Sequence, residues 1–170
     1  MRPMKFGMGQ PVRRVEDQRL TTGTGRYTDD TAVEGALHAY VLRSPHAHAK
    51  FRIIDKQAAL KRKGVKLILT GEDVAHLGDI PCKGLIKDIS GKSVKPNSVP
   101  VLPTDTVRHV GEAIAFIVAE TLDQARDAAE AIEIDFETLP SITGIAEALE
   151  SGAPQVWSDR DGNVAFEAEQ

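Results

Sequence analysis

From position 113 to 119 the chain reads AIAFIVA, an unbroken apolar run of strand length, which predicts a central strand of a sheet. Directly after it, Leu122, Ala125, Ala128, Ala129 and Ile132 recur at helical spacing while Arg126, Asp127 and Glu130 take the other side. That pattern predicts an amphipathic helix lying on a sheet. Thr121 and Gln124 mark its start as a capping box, each side chain satisfying an amide of the first turn. In IEIDFE, Ile132, Ile134 and Phe136 alternate with Glu133, Asp135 and Glu137, the period of a strand with one buried and one wet face. Pro140 ends that strand, and IAEALES predicts a short helix before a polar tail.

Upstream, ALHAYVLRS suits a strand covered on both faces and interrupted by Pro45, and FRIID at 51–55 predicts the next strand. Asp55 is placed to cap a short helix through KQAALKRK, with Gly64 supplying the left-handed residue that ends it and VKLILT at 65–70 forming a further strand. Residues 1–30 show no sustained period and predict an extended, largely irregular segment. Pro81, Pro96, Pro100 and Pro103 punctuate 75–106, which predicts a long surface excursion of the partner-facing kind. The expected organisation is an extended segment at 1–30, a domain at 31–150 and a tail at 151–170.

Composition narrows the function classes. A chain of 170 residues with 41% apolar side chains can bury a core. The formal net charge of −4 offers no field to attract phosphate backbones, so nucleic acid is not an expected partner. A single cysteine, Cys82, rules out an internal disulfide, a thiolate zinc cluster and an iron–sulfur centre, and agrees with a reducing, cytoplasmic setting. Arg13-Arg14 is followed by Val15-Glu16-Asp17-Gln18-Arg19 where an export signal needs an apolar stretch. No apolar run approaches the roughly 20 residues of a membrane span.

Candidate chemistry is sparse. His46 and His48 would share one face of an extended segment at roughly 6–7 Å, a separation one metal ion can bridge. A third ligand is needed, and His38, His76, His109, Cys82 and the Asp29-Asp30 pair stand at no informative spacing, so the pair is read as histidines bonding backbone at a strand end. Gly23-Thr-Gly25 lacks the preceding strand and the third glycine of a dinucleotide fingerprint, with Thr28 in its place. Glu112, just before the apolar run, is a general acid or base if buried; the simpler reading is a solvated carboxylate paired with Arg108 or Arg43. Lys61-Arg62-Lys63 with Lys66 reads as a solvated basic helix end, and Cys82 has no activating histidine placed by sequence. No nucleophile, base and oxyanion hole come together, so no catalytic, cofactor-binding or metal residue is assigned.

Read in order, GQPVRRVEDQRLTTGTGRYTDD, GALHAYVLRSPHAHAKFRIID, GVKLILTGEDV and VRHVGEAIAFIVAETLDQARDAAEAIEIDFETLP resemble the N-terminal region of the large, molybdopterin-binding subunit of molybdenum hydroxylases, the family of xanthine dehydrogenase, aldehyde oxidase and aerobic carbon monoxide dehydrogenase. The resemblance implies an α+β fold, the α/β-hammerhead, with a mixed sheet and two main helices, occupying 31–150. Ala113 and Lys63 stand where the family often has proline, a change without consequence for the strand ladders. It further implies that molybdopterin-bound molybdenum, iron–sulfur clusters and FAD belong to other domains or subunits, which would be this chain's partners. The chain would then be a split, truncated or excised domain, structural by itself, within an oxidoreductase that hydroxylates purine, aldehyde or carbon monoxide-type substrates. The alternative is a free-standing interaction module that keeps the fold without the enzyme.

Overall fold

The computed structural model describes residues 14–81, 87–91, 99–160, 162–165 and 167. The chain divides into two units, Met1–Ala36 and Leu37–Gln170. The first contains α1 (Asp17–Thr21) and a 3-10 turn at Thr28–Asp30, so the irregular segment expected at 1–30 is in part helical. Local bonds hold this helix: Thr21 and Thr22 hydroxyls donate to the Asp17 and Gln18 carbonyls at 2.6 Å each. It buries no residue, which is why no apolar period announces it.

In the second unit the strands are β1 (His38–Arg43), β2 (Ala49–Asp55), β3 (Val65–Thr70), β4 (Thr106–Val107), β5 (Ala113–Ala119) and β6 (Glu133–Thr138). They form two three-stranded sheets, ordered β1-β5-β3 and β4-β2-β6, and every pairing is antiparallel. The expected mixed sheet is thus two antiparallel sheets, while the expected α+β class holds. AIAFIVA is the central strand β5, as its unbroken apolar run predicts.

Of the helices, α2 is Gln57–Leu60, α3 Gly71–Val74, α4 Leu122–Glu130 and α5 Ile145–Ala148. Among the described residues only α4 is long; two main helices were expected, and the one through KQAALKRK is a single turn. Asp55 does cap that turn, its Oδ1 accepting the Gln57 N–H at 2.7 Å. At α4, the Thr121 hydroxyl accepts the Gln124 N–H at 3.2 Å and the Gln124 side chain accepts the Thr121 N–H at 3.1 Å, the reciprocal cap read from sequence.

The first sheet and α4 enclose the larger core. Ala115, Ala119, Ala125 and Ala128 are fully buried, and these small side chains let the helix backbone approach the sheet closely around Ile68 and Ile117. Ala49, Phe51, Val107 and Ile114 form a second cluster under the other sheet. Ile53 and Ile134 pack against both clusters, joining the two cores. Loss of a fully buried isoleucine such as Ile117 to alanine costs about 2–5 kcal/mol in sites of this kind.

Candidate functional site

Two connections pass between the sheets and lie against each other. Residues 44–48 lead from β1 to β2, and residues 108–112 lead from β4 to β5. Ser44 N–H donates to the Glu112 carbonyl and Gly111 N–H donates to the Ser44 carbonyl, both at 2.8 Å. The Arg43 guanidinium donates to the Gly111 carbonyl, also at 2.8 Å. Gly111 turns the second connection at φ +86°, a conformation open to glycine at little cost. The Glu112 carboxylate accepts the Arg108 backbone N–H in a short hydrogen bond and lies 3.8 Å from His109 Nδ1. With its side chain only 16% exposed, Glu112 is not the solvated partner of an arginine side chain expected from sequence. Its work is to close the turn that precedes β5.

The RSPHAHA segment belongs to the first connection. It is not extended between Ser44 and His48, so the premise that put both imidazoles on one strand face fails. His48 is buried, and its Nδ1–H donates to the Pro140 carbonyl at 2.9 Å while its own carbonyl accepts the Leu139 N–H at 2.9 Å. His46 turns elsewhere, its ring centroid 4.6 Å from that of Phe136. His48 therefore bonds backbone as read from sequence; His46 packs on an aromatic ring instead. His38 starts β1, His76 lies in a 3-10 turn and His109 is exposed, while Cys82 lies outside the described residues. Asp30 is occupied locally, accepting the Tyr27 N–H at 2.8 Å. Among the described residues no three His, Cys, Asp or Glu side chains are grouped to hold a metal ion.

The remaining sequence features take structural places. Gly23-Thr-Gly25 ends α1, with the Thr24 and Gly25 amides donating to the Arg19 carbonyl at 2.9 Å each, and is no phosphate cradle. From the basic cluster, Lys66 pairs with Glu120 at 2.7 Å, and this bond holds the Glu120 carboxyl below its ordinary range. Two arrangements are not apparent from single motifs. Asp73, in the first turn of α3, accepts from Lys56 Nζ, the Thr70 hydroxyl at 2.7 Å and the Thr70 N–H at 2.8 Å. The Lys56 bond, first among these, lowers its pKa from 3.8 to about 2. The capping pattern T-x-x-D at 70–73 is the signal that could have located it. The second is Arg108, whose guanidinium carbon lies 4.1 Å above the ring of Trp157, fixing the tail onto the second connection.

A cleft of about 460 Å³ opens beside β2, lined by Phe51, Ile53, Lys56, Thr70, Pro103 and Asp105. Of its two cations, Lys56 is engaged by Asp73 and Arg52 stands 3.9 Å from Asp135, and the Asp105 carbonyl accepts the Phe51 N–H at 2.7 Å. Both cations of the cleft are thus held by carboxylates outside any common reacting point.

The fold and its connections define an α+β domain in which polar contacts lock crossover to crossover. Within that class the assignment is specific: a family profile described as "Aldehyde oxidase and xanthine dehydrogenase, a/b hammerhead domain" matches residues 22–140, and the chain belongs to that family. It is 35% identical over 159 residues to the nicotine 6-hydroxylase large subunit of Paenarthrobacter nicotinovorans, covering 94% of this chain and 19% of that one. It superposes on the crystal structure of quinoline 2-oxidoreductase from Pseudomonas putida 86 with a TM-score of 0.77 and 39% identity, over 92% of this chain and 19% of the other. A Cu,Mo-CO dehydrogenase matches with a TM-score of 0.71 and 33% identity, over 94% and 19% respectively. The chain thus spans about a fifth of the length of these relatives.

The cleft beside β2 does not fit a molybdopterin group, whose heterocycle and phosphate need several donors converging on one slot. Lys56 is bound to Asp73, and His48 is bound to Pro140.

Proposed function

We propose that this chain is the hammerhead domain of a molybdenum hydroxylase large subunit and serves there as scaffold, with no catalytic residue of its own. The observation that carries this reading is the family match over 22–140 combined with coverage of only 19% of the relatives' length. In the assembled enzyme, molybdopterin-bound molybdenum, iron–sulfur clusters and FAD sit in other domains and subunits. The reaction they perform is hydroxylation of a carbon centre with oxygen from water and removal of two electrons. The domain occupies 31–150, with 1–30 leading into it and 151–170 leading toward the molybdopterin-binding domains. A cytoplasmic setting accords with a single cysteine, and no helix among the described residues is long and apolar enough to cross a membrane.

What the chain supplies is shape. The paired connections at 44–48 and 108–112 fix the two sheets against each other, and the Arg108–Trp157 contact fixes the departing chain. The test is a domain exchange. This chain replaces the matching portion of the nicotine 6-hydroxylase large subunit, and the chimaera is purified with its partner subunits. A scaffold role predicts an assembled, molybdenum-containing enzyme that retains hydroxylase activity. Failure of the chimaera to assemble would favour the free-standing module.

A further inference from the structure

The first sheet is apolar on both faces, and apart from Ile114 at the start of β5, which enters the second cluster, only one of them is packed in the core. Register places Tyr40, Ile117 and Ile68 side by side, and likewise Leu42 and Ala115; these residues face α4. The alternate residues are Ala39 and Leu67 opposite Val118, and Val41 and Leu69 opposite Phe116. None of these six belongs to either buried cluster or packs against one. Leu67 is 42% exposed, Ala39 is exposed, and the other four are half-buried.

Two other faces among the described residues of this unit carry charges. On the outer face of the second sheet Lys50 lies opposite Glu137 and Arg52 opposite Asp135, opposite charges in register. On α4 the outward residues include Asp123, Arg126, Asp127 and Glu130. A sheet that is apolar on both sides is normally covered on both, and a contiguous uncovered apolar patch marks an interaction surface.

We infer that this second face of the β1-β5-β3 sheet is the surface by which the domain docks onto the remainder of the large subunit. The occupant follows from chain length: in relatives of 33–39% identity this fold covers 19% of the chain, so four-fifths of each such subunit lies outside it. The inference rests on the scaffold reading above and adds the face, the residues and the apolar character of what covers them. Charge steers the same choice, because docking through the outer face of the second sheet would bury two lysine or arginine side chains and two carboxylates.

The experiment uses the assembled chimaeric enzyme. Leu67→Cys and Arg52→Cys are introduced separately, and maleimide labelling at each site is read by peptide mass spectrometry. Docking through this face predicts labelling at position 67 at least about tenfold slower than at position 52, since a thiol in a packed interface excludes the reagent. A companion variant, Leu67→Glu, is expected to lower the yield of assembled enzyme about tenfold or more, as a charge buried in an apolar interface does, while Arg52→Gln leaves it unchanged. Equal labelling rates at the two positions in an assembled chimaera would overturn the choice of face and leave the scaffold reading standing. Absence of assembly with the unaltered chain would overturn the scaffold reading, and this inference with it.

Discussion

At Asp73 one carboxylate oxygen collects three donors: the Lys56 ammonium, the Thr70 hydroxyl and the Thr70 amide. Because its pKa in the folded protein, about 2, lies below the ordinary 3.8, the ionised form is favoured by folding. That stability is fully present above about pH 4 and is lost as pH falls toward 2. With the Asp73 side chain 36% exposed, solvent screening holds the effect to no more than about 1 kcal/mol. Urea denaturation should therefore find Asp73→Asn less stable than the parent at pH 6, with the gap closing near pH 2; a gap independent of pH would refute this assignment. His48 predicts a larger change. Removing its buried bond to the Pro140 carbonyl with His48→Ala should lower stability by about 1–3 kcal/mol, and His46→Ala by less, since His46 gives up a ring contact but no hydrogen bond to that carbonyl. Neither residue was fully legible in advance. Two histidines two apart suggest a shared face only if the chain is extended, and the non-strand path from Ser44 to His48 depends on its bonds to 111–112, more than sixty residues away.

Elements with a strong local pattern could be read directly: β5 from its apolar run, α4 from its spacing and cap, β6 from its alternation. What could not be read is pairing. β1 bonds to β5 and β2 to β6, and those long-range choices split the strands between two sheets. β4, only Thr106–Val107, is defined by its bonds to Ala49 and Lys50 and carries too few residues to show a period. The expected excursion has a closed neck, with Ile80 N–H donating to the Val99 carbonyl at 2.8 Å, and it returns against α3. A Cβ at Gly71 would stand 2.3 Å from the Pro103 carbonyl oxygen, a backbone atom that cannot turn aside. Gly71→Ala should accordingly destabilise the protein by about 1–3 kcal/mol, read as a lower urea midpoint. A midpoint equal to the parent's would mean that the excursion does not seat against α3.

For the molecule as a whole, family and fold class were legible because several ordered blocks match at once, whereas the role of the tail was not. A lone tryptophan in a polar stretch gives no hint that it will lie under Arg108. The second apolar face was visible in ALHAYVLRS and AIAFIVA as strands without a wet side, and structure adds that none of its six side chains reaches this domain's own cores. The most direct measurement is elemental analysis of the purified 170-residue chain, together with dye-linked oxidation assays on aldehydes and purines. A scaffold domain should carry no stoichiometric molybdenum and turn over neither substrate class; one molybdenum per chain, or turnover by the chain alone, would contradict it.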